Sequence, residues 1–388
     1  MLNATINGTH TMNAVNPLTI AGAVEHSGTI NMVAGSVINI SGGAASGWNA
    51  TGGTFGGLPN GTINFNGAAT VTGTIAFPNV VLAGNVNFGT AATISSGASM
   101  RITALGSVNT NAPFYANGST LIYDAPASTY NRFNEWQPGT GLAQGVPFNV
   151  QVNTTTTLNM DANGSGGRTC RGNLILNGVL TMGGMTQDIV VGADINLNGT
   201  GTLTLGGQSG ANVGDIELAG NWNHATGGVF NNNSRAVWFI GTAGNQTVNF
   251  SGTETFGYII INKAAGNLVF NCSALIDGGN SGFPLIMQSG NLDLNGNTVT
   301  FNMWRSPSTA HDISVAGGGT RQIISSSGTG TFAFAHNDGT QRVSTIVSSS
   351  GTLLNFANNV VVTIGTPGGA NFGGVDFGSN ITTINQTL

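Results

Sequence analysis

The chain has 388 residues, of which 62 are glycine and only 6% are charged, and its formal net charge is −5. The glycine content is over twice the usual share of about 7%, whereas the charged content is far below the roughly 25% of an ordinary globular domain. The basic residues, one lysine (Lys263) and eight arginines, are too few and too scattered for nucleic-acid binding, and no apolar run approaches the roughly 18 residues that would span a membrane.

The first segment, residues 1–110, contains short alternating runs that begin with Gly-Thr-Ile. These runs start at Gly28, Gly61 and Gly73 and are bounded by Gly, Asn, Ser and Thr, a pattern typical of short β-strands separated by turns. Their unequal spacing predicts coils of irregular length. Since no segment of the chain has the sustained 3.6-residue periodicity of a helix, the sequence predicts an all-β fold.

The second segment, residues 111–150, interrupts this pattern, and we interpret it as a hairpin-and-loop excursion from the coils. Its aromatic and charged side chains include Tyr123, Tyr130, Arg132, Glu135 and Trp136. Aromatic faces beside polar donors suit a sugar ring or a partner protein, so these five residues are the candidate ligand-binding residues. The alternative is that the loop packs its rings onto the coils and that an Arg–Glu pair holds it there.

A seven-residue phrase recurs in the third segment, residues 151–300. Its copies begin at Gly172, Ala193, Gly214, Gly266 and Gly290, and the first three starts are 21 residues apart. A unit with one short strand and a turn at each end cannot bury its apolar face alone, so such copies are expected to stack on one another. The sequence therefore predicts a parallel β-helix, or β-solenoid, with coils of about 21 residues.

The last segment, residues 301–388, returns to strand-like sequence after an irregular patch at Met303–Pro307. We predict that the four segments form one elongated β-solenoid domain over residues 1–388. Within it, Cys170 and Cys272 would lie about five coils apart, or about 24 Å at the usual strand spacing. That exceeds the Cα separation of about 7 Å that a disulfide can bridge, so we expect two free, buried thiols.

Two aspartates, Asp194 and Asp215, occupy the same position of successive copies. At the spacing of one coil they would lie about 4.8 Å apart, where they could bind Ca²⁺ through their oxygens or act as a catalytic acid with its partner carboxylate. The alternative is that this position requires Asn or Asp in a turn, as Asn173, Asn267 and Asn291 indicate in other copies. Apart from this candidate calcium pair, the sequence predicts no metal or cofactor.

The run from Gly241 to Lys263, the phrase at residues 289–298, and residues 118–123 with the aromatic cluster carry a resemblance. They resemble repeat regions of large surface proteins exported by the type IX secretion system of gliding bacteria. The similarity covers about residues 110–300. Such proteins are mostly adhesins or cell-surface filaments, so the resemblance implies an extracellular location at the cell surface. The partners it implies are cell-surface glycans, other surface proteins or further copies of the chain.

Three functions follow as hypotheses. The first is a non-enzymatic structural or adhesive β-solenoid, because the histidines lack metal-ligand spacing and no nucleophile elbow or phosphate-binding loop is present. The second is a polysaccharide-binding or polysaccharide-cleaving β-helix with Asp194, Asp215 and Glu217 as its carboxylates. The third is a self-assembling or ice-binding filament, since the runs Thr154–Thr157 and Thr202–Thr204 would place hydroxyls in a plane.

Overall fold

The computed structural model describes residues 3–42, 46–162, 164, 166–207, 213–278, 283–303, 313–336, 343–348, 351–364, 374–376 and 381–384. Every regular element in these ranges is a β-strand, and the strands stack in parallel as a β-solenoid whose turns lie roughly 24 residues apart. The predicted all-β solenoid fold is therefore confirmed. The irregular patch predicted from Met303 lies, from residue 304 onward, outside the described residues.

The strands are short and follow one another closely along the chain. The first 25 are β1 (Ala4–Ile6), β2 (Thr9–Thr11), β3 (Leu18–Ile20), β4 (Ala23–His26), β5 (Thr29–Asn31), β6 (Val37–Ile40), β7 (Gly47–Ala50), β8 (Thr54–Gly56), β9 (Thr62–Phe65), β10 (Ala69–Gly73), β11 (Ile75–Phe77), β12 (Asn79–Leu82), β13 (Asn85–Asn87), β14 (Ala92–Ile94), β15 (Ser99–Thr103), β16 (Ser107–Val108), β17 (Phe114–Tyr115), β18 (Thr120–Asp124), β19 (Ser128–Asn131), β20 (Asn149–Val152), β21 (Thr156–Asn159), β22 (Arg168–Cys170), β23 (Leu174–Leu176), β24 (Val179–Thr181) and β25 (Ile189–Val191). The others are β26 (Ile195–Leu197), β27 (Thr202–Thr204), β28 (Ile216–Leu218), β29 (Trp222–His224), β30 (Val229–Asn231), β31 (Ala236–Phe239), β32 (Gln246–Phe250), β33 (Thr253–Phe256), β34 (Tyr258–Phe270), β35 (Ser273–Ile276), β36 (Leu285–Asp293), β37 (Thr298–Met303), β38 (Ile313–Val315), β39 (Gly319–Ile324), β40 (Gly330–His336), β41 (Val343–Ser348), β42 (Thr352–Phe356), β43 (Val360–Ile364), β44 (Gly374–Asp376) and β45 (Ile381–Ile384).

Each coil contributes strands to three separate ladders, so a coil has three faces joined by corners. At the start of the chain β1, β2 and β3 form one coil, and they pair with β4, β5 and β6 of the next. Gly, Asn and Ser occupy the corners, where the backbone must reverse direction over a few residues. The sequence phrase that we used to count coils therefore marks a face of the solenoid and not a whole coil.

The contacts divide the chain into two compact units. We call residues 1–192 with 200–202 the N-terminal unit, and residues 193–199 with 203–388 the C-terminal unit. The single domain over residues 1–388 stays a prediction.

The core of the N-terminal unit is built from rows of stacked apolar side chains. One row runs through Ile38, Ile63, Val80, Met100 and Leu121, which are register partners in successive coils and are fully buried. Burying each side chain of this size contributes about 1.5–3 kcal/mol relative to exposure. Because each residue packs on its counterparts in the coils on either side, stability accumulates coil by coil.

The C-terminal unit has the same kind of core. Ile216, Val237, Ile259, Leu285 and Ile313 form a fully buried row in which each is the register partner of the next. In both units the alternation of buried and exposed positions along the strands follows the two-residue period of a β-strand. This period, set by the apolar residues, fixes the register of the ladders.

Coil length varies more than the predicted repeat of about 21 residues. Ile216 pairs with Val237, 21 residues further on, but Ile195 pairs with Trp222, which is 27 residues further on. The strands keep their register because the extra residues lie in the corners, where added chain length costs little free energy. The typical spacing is therefore roughly 24 residues.

The excursion predicted at residues 111–150 is narrower than expected and contains no hairpin. Strands β17 to β20 remain in the solenoid and pair in parallel with adjacent coils, as β18 does with β15 and β20. Only residues 132–148, between β19 and β20, leave the ladders. We call this segment the 132–148 loop. A hairpin was wrongly predicted because the strand-like text before the loop continues existing ladders.

Candidate functional site

The five candidate ligand-binding residues lie inside the N-terminal unit. Tyr123 on β18 is the register partner of Ile102 and Val152, and Tyr130 on β19 is the partner of Leu158. The other three, Arg132, Glu135 and Trp136, belong to the 132–148 loop, and none of the five is more than 5% exposed. The two tyrosines thus stand in core rows, where alternation along the strand places them.

The Glu135 carboxylate is the centre of the polar contacts in this cluster. Its Oε1 accepts hydrogen bonds from the Phe133 backbone N–H at 3.0 Å and from the Tyr123 hydroxyl at 3.3 Å. The Tyr115 hydroxyl donates to the Glu135 backbone carbonyl at 2.9 Å. Burial raises the pKa of the Glu135 carboxyl, and the Phe133 N–H and the Arg132 charge oppose that rise.

Two buried arginines fasten the 132–148 loop to the next coil. Arg132 donates to the carbonyls of Met160, Phe133, Trp136 and Gly164 at 2.8–3.1 Å, and Arg168 donates to the carbonyls of Trp136 and Gly164 at 3.0 and 3.2 Å. Burial, together with the like charge of Arg132, lowers the pKa of Arg168 to about 10. These contacts fit the packing alternative, and the ligand-binding role stays a prediction with no exposed ring to carry it.

The two aspartates do not occupy equivalent rungs, so the expected stacking of Asp194 on Asp215 is wrong. Asp194 precedes β26, which pairs with β29, whereas Asp215 precedes β28, which pairs with β31. The Asp194 Oδ1 accepts the backbone N–H of Asn221 at 2.6 Å, and the Asp215 Oδ1 accepts that of Ala236 at 3.0 Å. Each side-chain oxygen thus caps the backbone of the following coil.

Asparagine performs the same task elsewhere. The Oδ1 of Asn221 accepts the backbone N–H of Thr247 at 2.9 Å, and that of Asn291 accepts the N–H of Gln322 at 3.0 Å. The position therefore requires a side-chain oxygen at this distance from the backbone, which Asn and Asp supply equally. This supports the turn alternative for the aspartates. Within the described ranges, no group of three or more His, Cys, Asp or Glu side chains is placed to hold a metal ion.

A pair of isosteric substitutions tests this account. Asp194→Asn keeps the acceptor, so we expect a change in the free energy of unfolding within about 0.5 kcal/mol. Asp215→Asn should cost about 1–3 kcal/mol, because the Asp215 Oδ2 also accepts the Trp238 indole N–H at 3.2 Å and an amide NH₂ cannot. Denaturant titrations with and without Ca²⁺ check both values, and a Ca²⁺-dependent rise that Asp194→Asn abolishes would contradict the turn role.

The threonine run Thr154–Thr157 does not form the plane of hydroxyls that the ice-binding hypothesis expected. Thr156 is fully buried, and its hydroxyl accepts the backbone N–H of Ala125 at 2.9 Å. Thr157, its neighbour on β21, is partly exposed. Because successive side chains of a strand point to opposite faces, consecutive threonines cannot share one surface.

A second buried polar cluster lies in the C-terminal unit, around Glu254. The Glu254 Oε2 accepts the Trp222 indole N–H at 2.8 Å and lies 2.7 Å from the His224 Nδ1. His224 is 8% exposed and its ring stacks on Phe250, with centroids 4.1 Å apart and planes 6° from parallel. Burial lowers the pKa of His224, but the Glu254 hydrogen bond and charge and the Gly228 backbone raise it more, so the net pKa is raised.

A cavity of about 360 Å³ opens beside this cluster. Its lining includes the His224 and Phe250 rings and the side chains of Asn198, Asn223, Asn249 and Asn271. Three of these asparagines belong to a ladder on the outer side of the C-terminal unit, which we call the amide ladder. Each member donates to the Oδ1 of the one before it, at 2.7–3.0 Å, in the order Asn196, Asn223, Asn249, Asn271, Asn295.

The sequence did not point to the His224–Glu254 pair. The two residues are 30 positions apart, and no motif relates them, because their meeting depends on the lengths of the intervening corners. The available signal was the alternation of Trp222, Asn223 and His224, which places both rings on the inner face of one strand. An inward histidine in a solenoid requires a buried partner, and Glu254 opens the next ladder on β33.

Comparison with protein-family models, with curated proteins and with solved structures gives no match. The functional argument therefore rests on the geometry of the chain itself. Both cysteines are free and buried, as predicted, and burial raises the pKa of Cys170 to about 12 and that of Cys272 to about 11. Among the residues that the structure describes, no helix is long and apolar enough to cross a membrane.

Proposed function

We propose that the chain is a non-enzymatic structural or adhesive β-solenoid that acts outside the cell, on a bacterial surface. The observation that carries this proposal is the amide ladder, in which uncharged side chains are bonded to one another from coil to coil. Neighbouring rungs lie about 4.8 Å apart. The outer side of the C-terminal unit thus offers the same donors and acceptors repeatedly, on side chains that are already held in place.

This construction suits a protein that must bind weakly at many equivalent points. Each ladder hydrogen bond contributes only about 0.5–1.5 kcal/mol net, but the bonds fix side chains that would otherwise lose rotamer entropy on contact. The resemblance to surface proteins of gliding bacteria supports the same conclusion. Its partners would be cell-surface glycans, other surface proteins or copies of the chain.

Adhesion through uncharged groups has a testable signature. Since only 6% of the residues are charged, retention should depend little on ionic strength, whereas contacts between exposed charges are screened by salt. We expect beads coated with the folded protein to be retained on at least one of a set of immobilised surface polysaccharides, or on the protein itself, at both 0.05 and 0.5 M salt. Beads coated with heat-denatured protein are the control.

The same samples separate the competing functions. Chain cleavage of any polysaccharide in the set would overturn the non-enzymatic assignment, and thermal hysteresis without retention would favour ice binding. Retention that disappears at high salt would show that charge, and not the amide ladder, carries adhesion. Protease treatment of intact source cells tests the location, because a surface protein is digested while the cells remain closed.

A further inference from the structure

The cavity beside His224 has features of a ligand site that the rest of the amide ladder lacks. It is the place where the ladder passes a pair of stacked rings, so amides and aromatic carbon line one space. Its volume of about 360 Å³ falls within the range of about 300–1,000 Å³ that is usual for small-molecule sites. A site of this kind takes a ligand with both polar and apolar surface.

The amides that line the cavity retain hydrogen-bonding capacity. An asparagine side chain has two N–H donors and an oxygen with two lone pairs. Among the bonds of the described residues, Asn223 and Asn271 each use one N–H on the preceding rung and accept one bond from the following rung. One donor and one lone pair of each amide are therefore left for a ligand, on partly or fully exposed side chains.

The rings that line the cavity are held rigidly. Glu254 fixes His224 through Nδ1, and Phe250, which is only partly buried, stacks on the other side of that imidazole at 4.1 Å. The His224 Nε2 is buried and has no hydrogen-bond partner of good geometry. The cavity therefore lies against a preformed aromatic wall with an unsatisfied polar atom within it.

The charge of the lining decides the class of ligand. The residues around the cavity include no lysine, arginine or carboxylate, and the positive charge of a protonated His224 is balanced by Glu254. An ionic ligand would lose its hydration without gaining a counter-ion. A hydroxyl-rich, uncharged ligand loses little, since each hydroxyl both donates and accepts.

We propose that this cavity is a subsite for one sugar unit of an uncharged glycan. The inference rests on the proposed adhesive function and names both the place on the solenoid and the chemistry of the partner. The Asn223 and Asn271 amides bind the hydroxyls of the sugar, and the Phe250 and His224 rings contact its carbon atoms. Further amides of the ladder lie along the path of the same chain.

The test is calorimetric titration of the whole chain with neutral oligosaccharides made of glucose, xylose, mannose or N-acetylglucosamine units, and with uronic acid oligomers as charged analogues. We expect saturable binding of at least one neutral oligomer and none of the charged ones. Asn271→Ala and Asn223→Asp should weaken that binding at least tenfold. Both variants are checked for retention of the fold by circular dichroism.

Asn159 supplies the matched control, because its amide makes the same kind of rung contact, 3.1 Å to the Asn131 Oδ1, in the N-terminal unit. Asn159→Ala and Asn159→Asp should leave the oligosaccharide affinity unchanged. Equal affinity in the cavity variants and the controls, preference for the charged oligomers, or no saturable binding would overturn the subsite. Beads that adhere equally with and without Asn271→Ala would remove the subsite while leaving the adhesive function, whereas binding without bead retention would do the reverse.

Discussion

Replacing Arg132 with alanine is expected to lower the free energy of unfolding of the N-terminal unit by about 3–5 kcal/mol, the usual cost of breaking a buried ionic network. The guanidinium is 2% exposed and donates to four backbone carbonyls. Without it these carbonyls lose their donor in a region that water reaches poorly, and Arg168 and Glu135 lose a neighbouring charge. The measurement is native-state hydrogen exchange over residues 128–170, combined with denaturant titration.

Arg101 provides the matched control in the same unit. Its guanidinium lies 3.4 Å from Asp124 with the side chain 49% exposed, and such surface pairs contribute about 0–1 kcal/mol. Arg101→Ala should therefore change stability by less than a third as much. If the two alanine variants were equally stable, the buried arginine would not be fastening the loop, and the ligand-binding hypothesis for Arg132 would regain ground.

Apolar patterning was sufficient to predict the class of fold. Short alternating runs such as Thr120–Asp124 bury every second residue, and the only economical way to cover many such strands with glycine-rich turns between them is to stack coils. The length of each coil was not predictable in this way. Ile195 and Trp222 become register partners only because residues 198–221 contain a longer corner than their counterparts do, and corner length has no periodic signature.

The candidate sites failed to follow from the sequence for a related reason. Aromatic and charged residues at Tyr123–Trp136 were prominent in the text, but prominence does not distinguish an exposed ring from a core ring. The alternation of Leu121 and Tyr123 along β18 was the better guide, since both occupy inward positions. His224 and Glu254 were inconspicuous because their relation is set by the stacking of coils, which joins residues far apart in sequence.

Glu254→Ala is expected to destabilise the C-terminal unit by about 3–5 kcal/mol. Glu254 is 3% exposed and accepts from both Trp222 and His224, so its removal leaves an indole N–H without an acceptor and a buried imidazole without a counter-ion. Glu25→Ala, at an exposed carboxylate whose contact is Asn49, should cost far less. Denaturant titration followed by tryptophan fluorescence measures both, and equal losses would show that the buried pair is unimportant.

The pH dependence identifies the pair more sharply than the size of the loss. The pKa of His224 is raised in the folded state, so its contribution is complete below its unfolded value of about 6.5 and is lost as the pH rises through the raised value. Exchange over β29 should therefore accelerate, after correction for intrinsic rates, as the pH rises above neutrality. Glu254→Gln removes the charge that raises this pKa and should abolish the trend.

The opposite trend is expected in the N-terminal unit. His26 is fully buried, its Nδ1 accepts the Trp48 indole N–H at 3.3 Å, and burial lowers its pKa. Its contribution is complete above about pH 6.5 and is lost as the pH falls through the lowered value, because protonation would set an N–H against the Trp48 donor. Exchange over β4 and β7 should accelerate in acid while exchange over β29 slows. Acceleration of both units in the same direction would contradict the assigned hydrogen-bond polarity of one of the two histidines.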